Sequence, residues 1–423
     1  MEVISDFHIH SRYAMACSNA ITIEGIAHTA KEIGINLVGT GDFTHPDWFK
    51  EIKAMLVEDQ QGLYKLKGSE VSTRFILSSE ICTVYSRGGK ARRVHNCVLA
   101  PSMDVVQQIN DQLGKRGNLK ADGRPIIGMS CAELVSMLMN IDKSIIVFPA
   151  HIWTPYFGAF GEMSGFDSMK DAYEEQVKNI HAYETGLSSD PPINWQVSEL
   201  DKYTVLSNSD AHSLPKMGRE ANVFEIPKEN LSYKQIADAI VKKDPKRIKM
   251  TVEFYPEEGK YHFDGHMECK VSLSPKEAMK YNNICPVCRK KLTIGVLHRV
   301  ADLSDRPEGF KPGNAIPFVH SVPLREVIAY LLKKPATAPV VNETLNDLVK
   351  KFGSEFNVML NSDLNSLSET NKDLGEAVKR IRKEQINVIP GYDGVFGVLD
   401  ILDRVEKKDK PTKAKLQKPM SDF

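Results

Sequence analysis

Ile4-Ser5-Asp6-Phe7-His8-Ile9-His10 runs straight into the polar stretch Ser11-Arg12-Tyr13. Residues i and i+2 of a strand project to one face, so His8 and His10 stand side by side where a buried strand gives way to a loop. Two neutral imidazoles with one outlook suit a divalent transition metal. The alternative is a core histidine beside a helix-facing one, and the other strands decide between them.

Six further apolar runs up to residue 212 carry polar ligand types at their ends. The run 36–42 ends in Asp42 and 72–80 in Glu80. The run 94–99 starts at His95, 144–151 ends in His151 and 179–184 in Glu184. The seventh, 203–212, ends in Asp210 and His212, again at i and i+2. Amphipathic helices separate several of them, with capping-box starts at Ser130-Cys131-Ala132-Glu133 and Ser232-Tyr233-Lys234-Gln235. Alternating strand and helix predicts a parallel sheet, plausibly closed into a barrel whose functional side chains gather at the C-terminal strand ends. Buried histidines and carboxylates in such numbers need partners or a cation. One multi-metal cluster is the expectation.

His8-x-His10, Thr40-Gly41-Asp42, Glu80, His95, His151 and Ser209-Asp210-Ala211-His212 together resemble the polymerase and histidinol phosphatase (PHP) family. The resemblance implies a distorted seven-stranded (β/α) barrel with a di- or trinuclear metal centre for phosphoester hydrolysis. It implies that His8, His10, Glu80 and Asp210 hold one metal and form the catalytic set. Glu80 would bridge to a second metal held by His95 and His151, with Asp42 and His212 on a third. Asp42 stands where the family usually has histidine, and a harder oxygen ligand shifts preference toward Mg2+ or Mn2+ there. The family's additional histidine after the first motif is absent from Tyr13-Ala14-Met15-Ala16-Cys17. Cys97 shares a face with His95 but is read as packing. A closer likeness covers nearly the whole chain. His8-Ile9-His10-Ser11-Arg12-Tyr13, Gly39-Thr40-Gly41-Asp42-Phe43-Thr44-His45-Pro46 and Gly186-Leu187-Ser188-Ser189-Asp190-Pro191-Pro192 resemble the endonuclease Q subfamily. These DNA repair enzymes nick 5′ to a deaminated base (hypoxanthine, uracil, xanthine) or an abasic site.

At 423 residues the chain exceeds one typical domain. The expected division is a metal-dependent catalytic barrel over 1–248, a zinc module over 249–311, a mainly helical part over 312–403 and a basic tail over 404–423. Net charge is zero, so no global basic field advertises nucleic acid. No apolar run approaches a membrane span, no signal peptide opens the chain, and seven cysteines read as reduced thiols plus a metal site. A cytosolic protein is expected.

Cys269, Cys285-Pro286-Val287-Cys288 and His298 fall in a segment too short for its own core. A Cys-x-x-Cys knuckle with a flanking Cys and His has the spacing of a structural tetrahedral zinc site. His298 is the expected fourth ligand, with His266 and His262 as substitutes. The proline-containing knuckle and the following Arg289-Lys290-Lys291 favour a turn over a redox motif. Lys290, Lys291 and Arg299 give the module a basic face.

Leu324–Leu332 and Leu374–Ile381 have helical spacing, and a hairpin-like piece, Ile386–Pro390 with Gly391-Tyr392-Asp393-Gly394-Val395-Phe396-Gly397, follows. The Gly-Tyr-Asp-Gly segment also occurs in the endonuclease Q relatives. Tyr392 and Phe396 are candidates to stack on an everted base. Trp153 and Tyr156, in the aromatic loop after His151, are two more, although packing is the commoner fate of such residues. Arg12, with Arg87, Lys90, Arg92 and Arg93 around Gly88-Gly89, are the candidate DNA-backbone contacts. The final twenty residues carry seven Lys or Arg against three acids. Within them Gln417, Met420 and Phe423 have the spacing of a peptide that docks on the sliding clamp PCNA, with Met420 and Phe423 one helical turn apart.

The reading is therefore a DNA repair endonuclease that hydrolyses a phosphodiester beside a damaged nucleotide. Zn2+ is expected in the module and in the active site, with Mg2+ or Mn2+ as alternatives in the latter. A histidinol-phosphatase-like enzyme on the same centre is the enzymatic rival. A non-catalytic, zinc-containing nucleic-acid scaffold is the other.

Overall fold

The computed structural model of the chain describes residues 2–404; the peptide bearing Gln417, Met420 and Phe423 lies outside the described residues. The opening strand, Glu2–Asp6, sits between Ala221–Glu225, antiparallel, and Leu37–Gly39, parallel. Leu37–Gly39 in turn lies parallel to the start of Arg74–Arg87. The central position explains why its three residues are all buried. The helix between the first two strands, Ile23–Ile33, starts at Thr22, whose side chain accepts from Gly25 N, and ends at Gly34 with φ 101°. It buries Ile23, Ile26, Ala27, Ala30 and Ile33, one apolar stripe at helical spacing against the sheet. The capping boxes at Ser130–Glu133 and Ser274–Glu277 are both formed, while Ser232 caps through Gln235 N.

The parallel expectation fails at Gly88-Gly89. Both glycines have positive φ, 60° and 73°, the backbone of a two-residue hairpin turn. The turn joins Arg74–Arg87 to Lys90–Ala100 as one long antiparallel hairpin. The second arm also runs antiparallel to Ile146–Pro149. Glu80 therefore sits in mid-strand, opposite Cys97, with Cys82 opposite His95. Directly opposed residues share a face, and so do residues two apart, which puts Glu80, Cys97 and His95 on one side.

The main sheet has eleven strands, and Ala182–Glu184 pairs separately with Thr204–Leu206, parallel. Strand ladders do not close the main sheet among the described residues. At the site end, Ile152 N donates to Glu184 O at 3.1 Å and His10 N to Ala211 O at 3.0 Å. These two bonds carry the chain across the gaps on either side of the small parallel pair. Beyond Ala221–Glu225 the sheet continues through Ile248–Glu253, across the expected boundary at residue 248, and Phe318–His320 adds alongside it. Helices Leu324–Leu332, Pro339–Phe352, Leu364–Thr370 and Lys372–Arg382 share a separate core built around residues such as Val327, Leu345 and Val378. The antiparallel pair Asn387–Ile389 and Val398–Asp400 follows. No helix among the described residues is long and apolar enough to cross a membrane.

His320 ties these parts together. Its Nε2 lies 3.1 Å from Asp190 Oδ2, its Nδ1 3.0 Å from Glu384 Oε1, and its ring stacks on Tyr255. Burial depresses its pKa, but the two carboxylates outweigh burial and push it up to about 9. A histidine whose folded pKa exceeds its unfolded one stabilises fully below about pH 6.5 and loses that stabilisation as pH rises through the folded value. Glu253, pushed up by burial to about 7, acts in the same sense. Urea unfolding should show stability falling by on the order of 2 kcal/mol between pH 6.5 and 9.5. His320→Gln should make that slope shallower; an equally steep slope in the variant would show that His320 is not its source.

Candidate metal centre

His8 and His10 leave the first strand fully buried, and Glu80 and His95 meet them from the long hairpin. Three further side chains arrive on left-handed backbone: Asp42 (φ 43°), His151 (φ 30°) and Asp210 (φ 47°). Each follows a strand of the sheet region and precedes a loop. Such conformations cost non-glycine residues of order 1–3 kcal/mol each, and they persist where the aim of the side chain matters.

Glu80 is the hub. Its Oε1 lies 2.6 Å from His95 Nδ1, 3.1 Å from His151 Nε2 and 3.7 Å from His8 Nε2. Its Oε2 lies 3.4 Å from His10 Nε2 and 3.2 Å from Arg124 Nη1. Asp210 Oδ1 closes the other side, 3.1 Å from His10 Nε2 and 3.6 Å from His8 Nε2. The ligand atoms fall into two triads, His8–His10–Asp210 and Glu80–His95–His151, each within 4.8 Å of one another. Burial alone raises a carboxyl pKa, but His95 and His8 outweigh it and hold Glu80 well below the usual range. Asp210 is lowered likewise, chiefly by His8 and His10 against the effect of burial. Burial pushes His95 down to about 4 despite Glu80 beside it, so this imidazole is neutral and available as a ligand.

Three of the imidazoles are braced from behind. His8 Nδ1 faces Glu184 Oε2 at 3.0 Å, His10 Nδ1 faces Asp42 Oδ1 at 2.9 Å, and His151 Nδ1 faces Thr154 Oγ1 at 2.8 Å. A partner on one ring nitrogen fixes the tautomer and aims the other nitrogen inward, as metal-ligating histidines require. His8 Nε2 is buried and has no hydrogen-bond partner. An orphaned imidazole nitrogen between two carboxylates fits a divalent cation.

Glu184 ends its strand as expected, but nothing in the pattern gave it a role. It is held by Asn208 Nδ2 at 2.8 Å and by the backbone N–H of His151 at 2.8 Å. Its position at a strand end was the one available signal. Arg124, in a loop, carried none. Cys97 is buried, its thiol pushed up by burial, with Sγ in reach of His8 and Glu184.

Asp42 and His212, expected on a third metal, belong to none of the groups of three or more candidate ligand atoms within 4.8 Å of one another among the described residues. Asp42 Oδ1 is engaged by His10, and Oδ2 accepts from Ser11 N at 2.5 Å. His212 donates through Nδ1 to Asp210 O at 2.8 Å and lies beside the His10 ring, partly exposed. Asp42 thus braces His10.

Other site candidates are redistributed as well. Trp153 is buried and donates to Asn194 Oδ1 at 2.8 Å. Tyr392 is buried against Gly265, where a Cβ would come within 2.5 Å of its ring. Both are packing residues, whereas Tyr156 and Phe396 are exposed. Phe157, the neighbour of Tyr156, stacks on ligand His95 at 4.5 Å. Arg12 pairs with Glu51 at 2.6 Å and Arg87 with Glu174 at 2.6 Å. Arg92 donates to Gly165 O and Arg93 lies over Phe157. Arg299 is engaged by Phe160 O, Phe166 O and Asp167. Lys90, Lys290 and Lys291 are exposed, with Lys290 3.4 Å from Glu268.

In the small module the ligand atoms of His266, Cys269, Cys285 and Cys288 lie within 4.8 Å of one another, a set that suits tetrahedral zinc. His298 is not among them. Its Nδ1 lies 2.6 Å from Asp264 Oδ2, on a helix whose inner face is buried. His262 is buried with Nδ1 unpartnered. His266, which ends a strand next to Cys269, completes this group of four candidate ligands.

Comparison with solved structures places this arrangement. The lesion-specific endonuclease PfuEndoQ of Pyrococcus furiosus superposes with a TM-score of 0.84 at 29% identity, over 97% of this chain and 98% of that one. A complex of endonuclease Q with a 27-mer duplex carrying an abasic lesion at the active site gives 0.83 at 29% identity, covering both chains fully. The chain shares the endonuclease Q fold from end to end. Residues 323–385 match the family described as the MJ0043 C-terminal domain. The uncharacterized protein MJ0043 of Methanocaldococcus jannaschii is 32% identical over 255 residues, 58% of this chain but 30% of the relative's own length. The uncharacterized protein YqxK of Bacillus subtilis is 29% identical over 376 residues, 85% of this chain and 88% of that protein. The endonuclease Q likeness thus covers the metal centre, the cysteine module and the helical part together.

Glu184→Ala removes the brace behind His8 while leaving every inward-facing ligand in place. It should weaken metal binding at the centre about 10–100-fold, read by competition with a chromogenic chelator. Unchanged affinity would mean that His8 needs no brace.

Proposed function

We propose that this protein is a DNA repair endonuclease that hydrolyses the phosphodiester 5′ to a deaminated base or an abasic site. One observation carries the reading: the Glu80-centred ligand cluster lies in a chain that matches, over its full length, a structure with an abasic duplex at the active site. His8, His10 and Asp210 would hold one ion, and Glu80, His95 and His151 a second, with Glu80 facing both. Bound there, divalent ions supply activated water near neutral pH and neutralise charge on the attacking and leaving oxygens. The braces from Glu184, Asp42 and Thr154 keep the inner nitrogens aimed, so that little reorganisation accompanies the reaction. Zn2+ suits the histidine-rich triads, with Mg2+ or Mn2+ as the alternatives. In this reading the first seven sheet-forming segments of the site act as a distorted PHP-type barrel. The zinc module, held by His266, Cys269, Cys285 and Cys288, and the helical part flank the duplex.

A base to be inspected at this depth must leave the stack. Tyr156 and Phe396 are the exposed aromatics that remain candidates to stack on it, and Lys90, Lys290 and Lys291 the exposed candidate cations for backbone phosphates. A small-molecule phosphoesterase would need neither module nor helical part, and the nearly complete ligand set argues against a decayed scaffold.

Wild-type protein should nick duplexes bearing a single uracil, hypoxanthine or abasic site and leave a chromogenic monophosphate ester largely intact. His8→Ala and Asp210→Ala should each abolish nicking while retaining affinity for the lesion duplex. The reverse substrate preference in the wild type would establish the phosphatase instead. Independently, Cys288→Ser or His266→Ala should release about one zinc equivalent and loosen the module, because metal binding supplies its folding free energy. Equal zinc content in wild type and both variants would remove the module's metal.

A further inference from the structure

Arg124 reaches the metal centre from the loop between the helix Met103–Leu113 and the short strand Ile126–Ile127. That loop is pinned on several sides. Asp122 Oδ1 accepts from Met15 N at 3.2 Å and from Arg124 N at 3.0 Å. Gly123 N donates to Tyr13 O at 3.0 Å, Gly123 O accepts from Thr44 Oγ1 at 3.1 Å, and Pro125 O accepts from Cys82 N at 3.0 Å. Gly123 also lies hard against Asp42, where a Cβ would come within 2.4 Å of Oδ2. One loop therefore closes over Asp42 and delivers Arg124 Nη1 to Glu80 Oε2. The Arg124 side chain is 21% exposed, and its guanidinium makes no other hydrogen bond to protein among the described residues. A guanidinium carries five donors in a planar fork, so most of its capacity is still open.

We propose that Arg124 binds the non-bridging oxygens of the scissile phosphate, its guanidinium acting beside the divalent ions of the centre. The inference rests on the phosphodiesterase reading above. Two observations carry it: a permanently charged fork is held beside Glu80 at the centre, and most of its donors stay open among the described residues. Arginine suits the task because it pairs with phosphate bidentately and keeps its charge. It exchanges no proton and forms no covalent bond; it contributes hydrogen bonds and positive charge where negative charge develops.

The test uses the full chain loaded with metal, with Arg124→Ala and Arg124→Lys beside the wild type. Metal analysis of the wild type gives the reference count of ions held at the centre beyond that of the zinc module. Arg124→Ala should keep those ions and its melting temperature, yet turn over lesion duplex about 10²–10³-fold more slowly. Part of the loss should return on adding guanidinium ion, and Arg124→Lys should fall between the two. Inorganic phosphate, titrated calorimetrically, should bind the alanine variant about tenfold more weakly, the loss of one charge-assisted contact. Loss of barrel ions in Arg124→Ala would make the residue a support for Glu80 and overturn the assignment, as would unchanged turnover and phosphate affinity. If the wild type nicks no lesion duplex, the phosphate titration and metal count still decide Arg124 separately.

Discussion

A buried carboxylate surrounded by four imidazoles is the constraint on which this molecule depends. Isolating an ionised carboxylate from water costs several kcal/mol even after relaxation, and Glu80 is shielded almost completely. The charge is tolerated because His8, His10, His95, His151 and Arg124 all approach it within 3.7 Å. Each of those approaches sets a demand on the backbone. The hairpin must pair Glu80 with Cys97 so that His95 falls on the same face, and a slip of one residue would turn Glu80 outward. The glycine pair at its tip fixes that register.

The second demand is aim. Imidazoles around one carboxylate can rotate and exchange tautomers unless something fixes each ring. Glu184, Asp42 and Thr154 do this from outside the cluster, and each is itself restrained, Glu184 by Asn208 and Asp42 by Ser11. The left-handed backbone at Asp42, His151 and Asp210 costs stability that a protein without a site would not spend. His8 Nε2 remains unpartnered in the middle of this ordered shell. The shell is organised for cations.

Much of this was legible in the sequence because strand periodicity and ligand chemistry reinforce each other. His8 and His10, or Asp210 and His212, are visible at i and i+2 in a buried run. The long hairpin is harder to see: Glu80 closes the apolar run 72–80 yet sits in mid-strand, and Gly88-Gly89 lies among basic residues yet forms the turn. His266 and His298 are both plausible from spacing, and only the strand that places His266 beside Cys269 separates them. Glu184 and Arg124 act on ligands across 176 and 44 residues of chain, distances over which local pattern carries no information.

The basic residues show why charge in a sequence does not locate a binding face. Arg92 and Arg299 both reach the 157–168 loop and engage Gly165 O, and Phe160 O, Phe166 O and Asp167, respectively. Arg87 adds Asp171 O and Glu174 just beyond it. Buried or half-buried carbonyls require donors, and a guanidinium reaches several at once. The loop they fasten returns the favour at the metal centre. Phe157 O accepts from His95 N at 2.9 Å and the Phe157 ring lies flat on the His95 imidazole, fixing a ligand through backbone and side chain together. Arg299 lies on the helix Val296–Leu303 that follows the cysteine module, so the same loop joins that module to a metal ligand. Residues that a charge count assigns to DNA thus tie the cysteine module to the loop that packs on His95.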